Sequence, residues 1–239
     1  MRKLILIFFS IISLTSCLKN SDNFENGPKA QVLISNYVVN NAVFDVSFDN
    51  SSLTATPLSF GSGTGSSTDL YVNLVAGMHT IVINSGNKVV VDNVFSLSAN
   101  RRYSFFLYDT LKNDSLKILM LTDDVVPVDT MAKSRFIQFI PNDSLTITTI
   151  KNTSSPVAGD TLVASDRYIG KKSITGSAIG FSTIFKPGDY KIQLSRNGNV
   201  IFTQASFVFL PGKVYSLIAR GVMNGTGVYK ETIAILQNN

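Results

Sequence analysis

His79, the carboxylates Asp114, Asp123 and Asp124, and the run Gly61-Ser62-Gly63-Thr64-Gly65-Ser66-Ser67 are where catalysis or ligand binding would first be sought in this chain. A lone imidazole suits a general base or metal ligand, paired carboxylates suit glycoside hydrolysis or calcium, and a glycine-rich loop suits phosphate. Each lacks its complement. There is one His and one Cys, Cys17, so neither a zinc site nor a Ser-His-Asp or Cys-His arrangement can be assembled. Laying Val75–Ile83 over Lys186–Leu194 puts His79 opposite Tyr190, so the position calls for a large amphipathic ring rather than a catalyst. Neighbouring strand residues point to opposite faces, which separates Asp123 from Asp124; they are expected to cap a turn, an interdomain cation site being the alternative. The glycine run lacks a Gly-Lys-Ser/Thr ending and a following helix, and is expected to be a flexible connection. No catalytic residue, metal site or cofactor is predicted.

Cys17 is different. Arg2 and Lys3 precede an apolar run from Leu4 to Leu14, broken by Ser10 and Ser13, which has the length of an export signal and is too short to span a bilayer. Leu14-Thr15-Ser16-Cys17 then resembles the lipobox of bacterial lipoproteins: a branched apolar residue, two small residues, and a thiol. That resemblance implies cleavage between Ser16 and Cys17 and a diacylglycerol thioether on Cys17. Several acyl chains at about 0.8 kcal/mol per buried CH₂ make such an anchor effectively permanent. With Cys17 so used, no disulfide is available, and stability must come from core burial. Loss of Arg2 and Lys3 leaves 19 basic against 16 acidic residues, or +3, with no basic run to follow phosphates, so no nucleic-acid partner is expected.

Five triplets read Asp, hydroxyl, aliphatic: Asp109-Thr110-Leu111, Asp114-Ser115-Leu116, Asp129-Thr130-Met131, Asp143-Ser144-Leu145 and Asp160-Thr161-Leu162. They resemble the O-glycosylation sequon of exported Bacteroidetes proteins, which implies Thr110, Ser115, Thr130, Ser144 and Thr161 as acceptors. Among fourteen Asp residues, chance supplies roughly one or two such triplets. Turn chemistry, with Asp opening a strand, is the other explanation.

The body that carries these residues reads as strands. Leu18–Lys29 is a polar tether, and its Ser21-Asp22-Asn23-Phe24-Glu25 resembles acidic surface-export signals of Bacteroidetes lipoproteins, a solvated linker being the alternative. From Ala30 onward the pattern is alternation and short apolar runs with no sustained helical period. Phe44, Val46 and Phe48 share one face, as do Tyr190, Ile192 and Leu194, which predicts half-buried strands of sheets solvated on one side. Further strands are predicted over 31–37, 70–75, 80–84, 88–97, 102–108 and 116–121.

An internal repeat organises them. Gly77 meets Gly188 at 188 − 77 = 111, and Tyr103-Ser104 meets Tyr215-Ser216 at 215 − 103 = 112. The division that follows is a signal over 1–16, a lipidated Cys and tether over 17–29, one domain over 30–126 and a second over 131–239, joined near Pro127.

Val43–Asp49, the Phe60-Gly61 corner, Val75-Ala76-Gly77 before Thr80–Ile83, Tyr103, and Leu121–Asp124 occur in an order that resembles the exported, often duplicated family called domain of unknown function 4397, from Ala30 to the C-terminus. The second copy departs from it at Leu145–Thr148 and in a longer insert over 153–165. The resemblance implies two tandem all-β sandwiches, immunoglobulin-like or transthyretin-like, in the cell envelope, and no activity.

The reading is therefore a protein lipid-anchored to the bacterial outer membrane, its cell-surface exposure left open, that is a non-enzymatic binding or structural module with the membrane as its first partner. A glycan or a protein is the expected second partner. Tyr37, Tyr71, Tyr108, Tyr168 and Tyr229 are available for sugar contact in a chain without Trp. A polymerising surface or adhesin subunit pairing through the 116–121 strand, and an envelope hydrolase acting on glycans, are the alternatives.

Overall fold

The computed structural model describes residues 27–40, 42–65, 70–112, 115–155, 157, 160–165 and 179–239. The first half forms β1 (Lys29–Val38), β2 (Asp45–Phe48), β3 (Ser51–Ser52), β4 (Val72–Val75), β5 (Gly77–Ser85), β6 (Lys88–Leu97), β7 (Arg102–Lys112) and β8 (Ser115–Asp123). The second forms β9 (Ala132–Gln138), β10 (Thr146–Lys151), β11 (Thr161–Ser165), β12 (Thr183–Phe185), β13 (Gly188–Arg196), β14 (Asn199–Phe209), β15 (Val214–Arg220) and β16 (Thr232–Gln237).

Pairing is the same in both halves. Sheets β4-β1-β7-β8 and β3-β2-β5-β6 make the first sandwich; β12-β9-β15-β16 and β11-β10-β13-β14, the same orders shifted by eight strands, make the second. β1 with β7 and β9 with β15 pair in parallel, and the other neighbours are antiparallel. The all-β, two-sandwich expectation is borne out. The repeat has atomic detail as well. Gly77 and Gly188 open β5 and β13 with φ of 148° and 142°, where an L side chain is disfavoured. The Tyr103 hydroxyl accepts from the Ser98 amide at 2.9 Å, and its counterpart Tyr215 accepts from Leu210 at 3.0 Å. The insert of the second copy carries β11, which replaces the two-residue β3 with a five-residue strand.

Alternation places the cores where the pattern put them: Phe44, Val46 and Phe48 in the first, Tyr190, Ile192 and Leu194 in the second, all buried. The expectation of one solvated face holds for the outer sheets, which carry Phe44–Phe48 and Tyr190–Leu194, and does not extend to the inner ones. All seven residues of β9 are buried, as are the last seven of β1, including Ser35, Asn36, Lys133, Ser134, Arg135 and Gln138. Their sheets are covered on both sides because the two sandwiches pack on each other through Tyr37, Phe106, Leu121, Ile137, Phe139 and Ile218. Tyr37 stacks on Phe139, its counterpart in the second copy, with centroids 5.2 Å apart and planes 18° from parallel. Burial pushes the Tyr37 phenol up to about 12.

The glycine run is also corrected in its described part. Thr64 is buried; its amide donates to the Ile34 carbonyl at 2.8 Å, and its hydroxyl accepts from the Ile34 amide at 2.9 Å. Residues 61–64 are thus fastened along β1 rather than loosely connecting strands.

Candidate functional site: the interdomain seam

At one end of the apolar seam lies a polar network. Arg135, on β9 of the second sandwich, and Asp123, closing β8 of the first, form an ion pair at 2.6 Å with both side chains essentially removed from solvent. Asp123 Oδ2 also accepts from the Tyr71 hydroxyl at 2.7 Å and from Ser104 Oγ at 2.6 Å. Arg135 Nε donates to Ser216 Oγ at 2.7 Å, Ser216 donates to Asn238 Oδ1 at 2.8 Å, and Asn238 Nδ2 donates to Tyr71 at 2.8 Å, which closes a ring of bonds across the two domains. The guanidinium lies over the Phe181 ring at 4.2 Å. Burial raises the Tyr71 phenol, and the neighbouring Asp123 charge raises it further, so the hydroxyl stays protonated and donates.

This overturns the turn reading for Asp123 and keeps it for Asp124. Asp124 Oδ1 accepts from the Val126 amide at 3.3 Å, and its carboxylate pairs with Lys133 at 3.4 Å. Strand register explains the asymmetry of the two copies. Ser104 pairs with Leu33 where Ser216 pairs with Arg135, and Asp123 stands where the second copy has Asn238. One copy supplies the carboxylate and the other the guanidinium, each opposite a neutral residue in its own duplicate.

A second contact crosses the seam. Phe60 packs on Tyr229 at 4.8 Å and under the Arg220 guanidinium at 5.5 Å. A Cβ on Gly61, at φ 81°, would come within 1.8 Å of Arg220 Nη1.

Two open cavities of about 650 and about 510 Å³ meet at Arg102, within the size range of small-molecule sites. Arg102 Nε donates to Gln31 Oε1 at 2.5 Å, Nη1 donates to the Asn238 carbonyl at 2.7 Å, and the guanidinium lies 5.3 Å from the Tyr71 ring centroid. Its counterpart in the second copy is Val214, so nothing in the repeat predicted a cation here.

The sequence-predicted positions are scattered relative to this seam. His79 Nε2 meets the Val75 carbonyl and Nδ1 meets the Asp49 carboxylate, both at 2.6 Å, while Tyr190 donates to the Lys186 carbonyl at 2.8 Å. Both rings thus reach the carbonyl four residues back, the structural role the repeat implied. Burial acts to raise the Asp49 carboxyl, but the Thr80 amide and His79 outweigh it and hold it below the ordinary range. Of the triplet hydroxyls, Thr130, Ser144 and Thr161 are exposed, whereas the Thr110 and Ser115 side chains lie outside the described residues. The triplets also make turns: the Val157 amide donates to Asp160 Oδ2 at 2.9 Å, and the Ser144 amide to Asp143 Oδ1 at 2.8 Å. Asp143 further binds Arg196, which pairs with Glu231 as well. Tyr37 and Tyr71 are buried and offer no sugar platform, Tyr108 and Tyr229 are half-buried, and Tyr168 lies outside the described residues. Ser16, Cys17 and the 21–25 motif lie outside them too. β8 is a sheet edge, with Leu119 and Leu121 turned into the seam and Lys117 exposed.

The model of a family described as "Domain of unknown function (DUF4397)" matches residues 30–145. No curated protein matches the chain in sequence. Among solved structures, the chain is similar to a family 26 carbohydrate-binding module from Eubacterium rectale in complex with maltoheptaose, at 6% identity over 88% of this chain and 97% of that one, with a TM-score of 0.23. It is also similar to a candidate cell adhesion protein from Bacteroides ovatus, at 10% identity over 87% of this chain and 95% of that one, with a TM-score of 0.26. At such TM-scores neither bears on what this chain binds.

Proposed function

We propose that this chain is a lipid-anchored binding module of the bacterial outer membrane that works without catalysis, its two sandwiches held as one rigid body on a tether at Cys17. The observation that carries the reading is the seam. A buried, hydrogen-bonded ion-pair ring and a stacked apolar face fix the relative position of the two copies. Fixed copies present a permanent groove, as a recognition surface requires. The chain's titratable groups support the same conclusion: Asp123, Asp143, Glu231 and His79 are each engaged in structural bonds. Export, cleavage before Cys17 and its lipidation rest on the Leu14–Cys17 pattern.

Affinity capture from intact cells, with the surface-labelled protein as bait, tests location and partner together. Recovery of an envelope glycan or protein, with labelling of unbroken cells, is expected; turnover of glycoside, peptide or ester substrates that one Asp substitution abolishes would replace the reading with a hydrolase. The exposed Thr130, Ser144 and Thr161 are the proposed glycan carriers among the described hydroxyls. A native protein that loses no mass on mild β-elimination would remove that part.

A further inference from the structure

We infer that the groove crossing Arg102 binds an acidic oligosaccharide, the guanidinium taking a uronate carboxylate and the groove walls taking the sugar rings. This rests on the binding-module reading and names its ligand class. The charge points to an anion. Arg101 and Arg102 line the 510 Å³ cavity, and its two carboxylates, Asp123 and Asp124, are each paired with a cation of the second sandwich. No carboxylate among the described residues pairs with Arg102. Three contacts, to Gln31, to Asn238 and to the Tyr71 ring, hold its guanidinium in place, so a ligand need not order it. A planar fork so positioned fits a carboxylate.

The remaining lining points to a saccharide. Asn73 and Asn100 in the smaller cavity and Gln237 in the larger offer exposed amides, which donate and accept as sugar hydroxyls do. Phe207 and the exposed Leu210 give the larger cavity an apolar wall for ring faces. Together the cavities exceed the volume of a single sugar, so several units are accommodated.

The test is calorimetric titration of the purified full-length protein, in detergent, with a hexamer of galacturonic acid, a hyaluronate hexasaccharide, and the fully methyl-esterified galacturonate hexamer. At least one acidic hexamer is expected to bind, to weaken as salt rises, and to bind at least about tenfold more tightly than the ester, which keeps the backbone and loses only the charge. Arg102→Gln is expected to weaken binding at least about tenfold. Because Arg102 also bonds Gln31 and Asn238, the exposed Arg101→Gln is the second variant, with a several-fold loss expected and the melting temperature unchanged. No binding of either acidic hexamer, equal binding of the ester, wild-type affinity in both variants, or a preference for poly-glutamate over both saccharides would each overturn the inference. Envelope capture that survives Arg102→Gln would overturn the groove alone, whereas release of reducing ends from a hexamer would overturn the non-enzymatic reading itself.

Discussion

Replacing Arg135 with Met while Asp123 stays should cost the protein about 3–5 kcal/mol, because it strands a carboxylate in the seam. The ion pair spans 2.6 Å with side-chain exposures of 1% and 0%, so bulk solvent does not reach the carboxylate to take the place of the guanidinium. Two neutral donors, Tyr71 and Ser104, remain on Asp123 and compensate in part. Adding Asp123→Leu removes the stranded charge. What then remains is the cost of orphaned hydroxyls, about 1–3 kcal/mol, and Tyr71 still has Asn238 as a partner. The double variant should therefore be more stable than Arg135→Met alone. Urea unfolding followed by far-ultraviolet circular dichroism, run as a double-mutant cycle, measures all four corners. An Arg135→Met cost below about 1 kcal/mol, or a double variant less stable than the single, would refute the claim that this pair locks the copies together.

Gly61→Ala should cost about 1–3 kcal/mol, since the left-handed φ of 81° disfavours a side chain and the new Cβ meets Arg220 at 1.8 Å; a melting curve identical to wild type would contradict it. Tyr103→Phe and Tyr215→Phe each leave an amide, Ser98 or Leu210, without its acceptor, and should cost about the same, roughly 1–2 kcal/mol, in denaturant titrations. Asp49 has a depressed carboxyl in the folded state. Its contribution is complete above the unfolded value near pH 4 and is lost as pH falls through the lower folded one. Asp49→Asn should therefore narrow the drop in melting temperature between about pH 4.5 and the acid limit relative to wild type, and an unchanged pH profile would remove Asp49 as its source.

The outer sheets were legible because Phe44, Val46 and Phe48 obey a period of two, and because Gly77 and Gly188 mark a backbone conformation that few other residues tolerate. The inner sheets were not legible as such. A strand covered on both faces loses alternation, and Lys133-Ser134-Arg135 looks solvated until the first sandwich is placed on it. Asp123 was misread for a related reason. Asn238, at the equivalent position of the second copy, is the neutral half of a complementary pair of positions, and neither sequence copy alone shows the pairing. The usable signal was Arg135 opposite Leu33 together with Asp123 opposite Asn238: one unmatched charge of each sign at equivalent registers of a duplicated fold. Arg102 was hidden because the larger of its two cavities is lined by both copies and exists only when they dock.

The proposed anchor is tested most directly by the mass of the N-terminal peptide of the protein isolated from its own membranes. The account predicts a chain that begins at Cys17 and carries a diacylglyceryl thioether on its sulfur. A peptide that still begins at Met1, or one cleaved elsewhere with the Cys17 thiol unmodified, would contradict it.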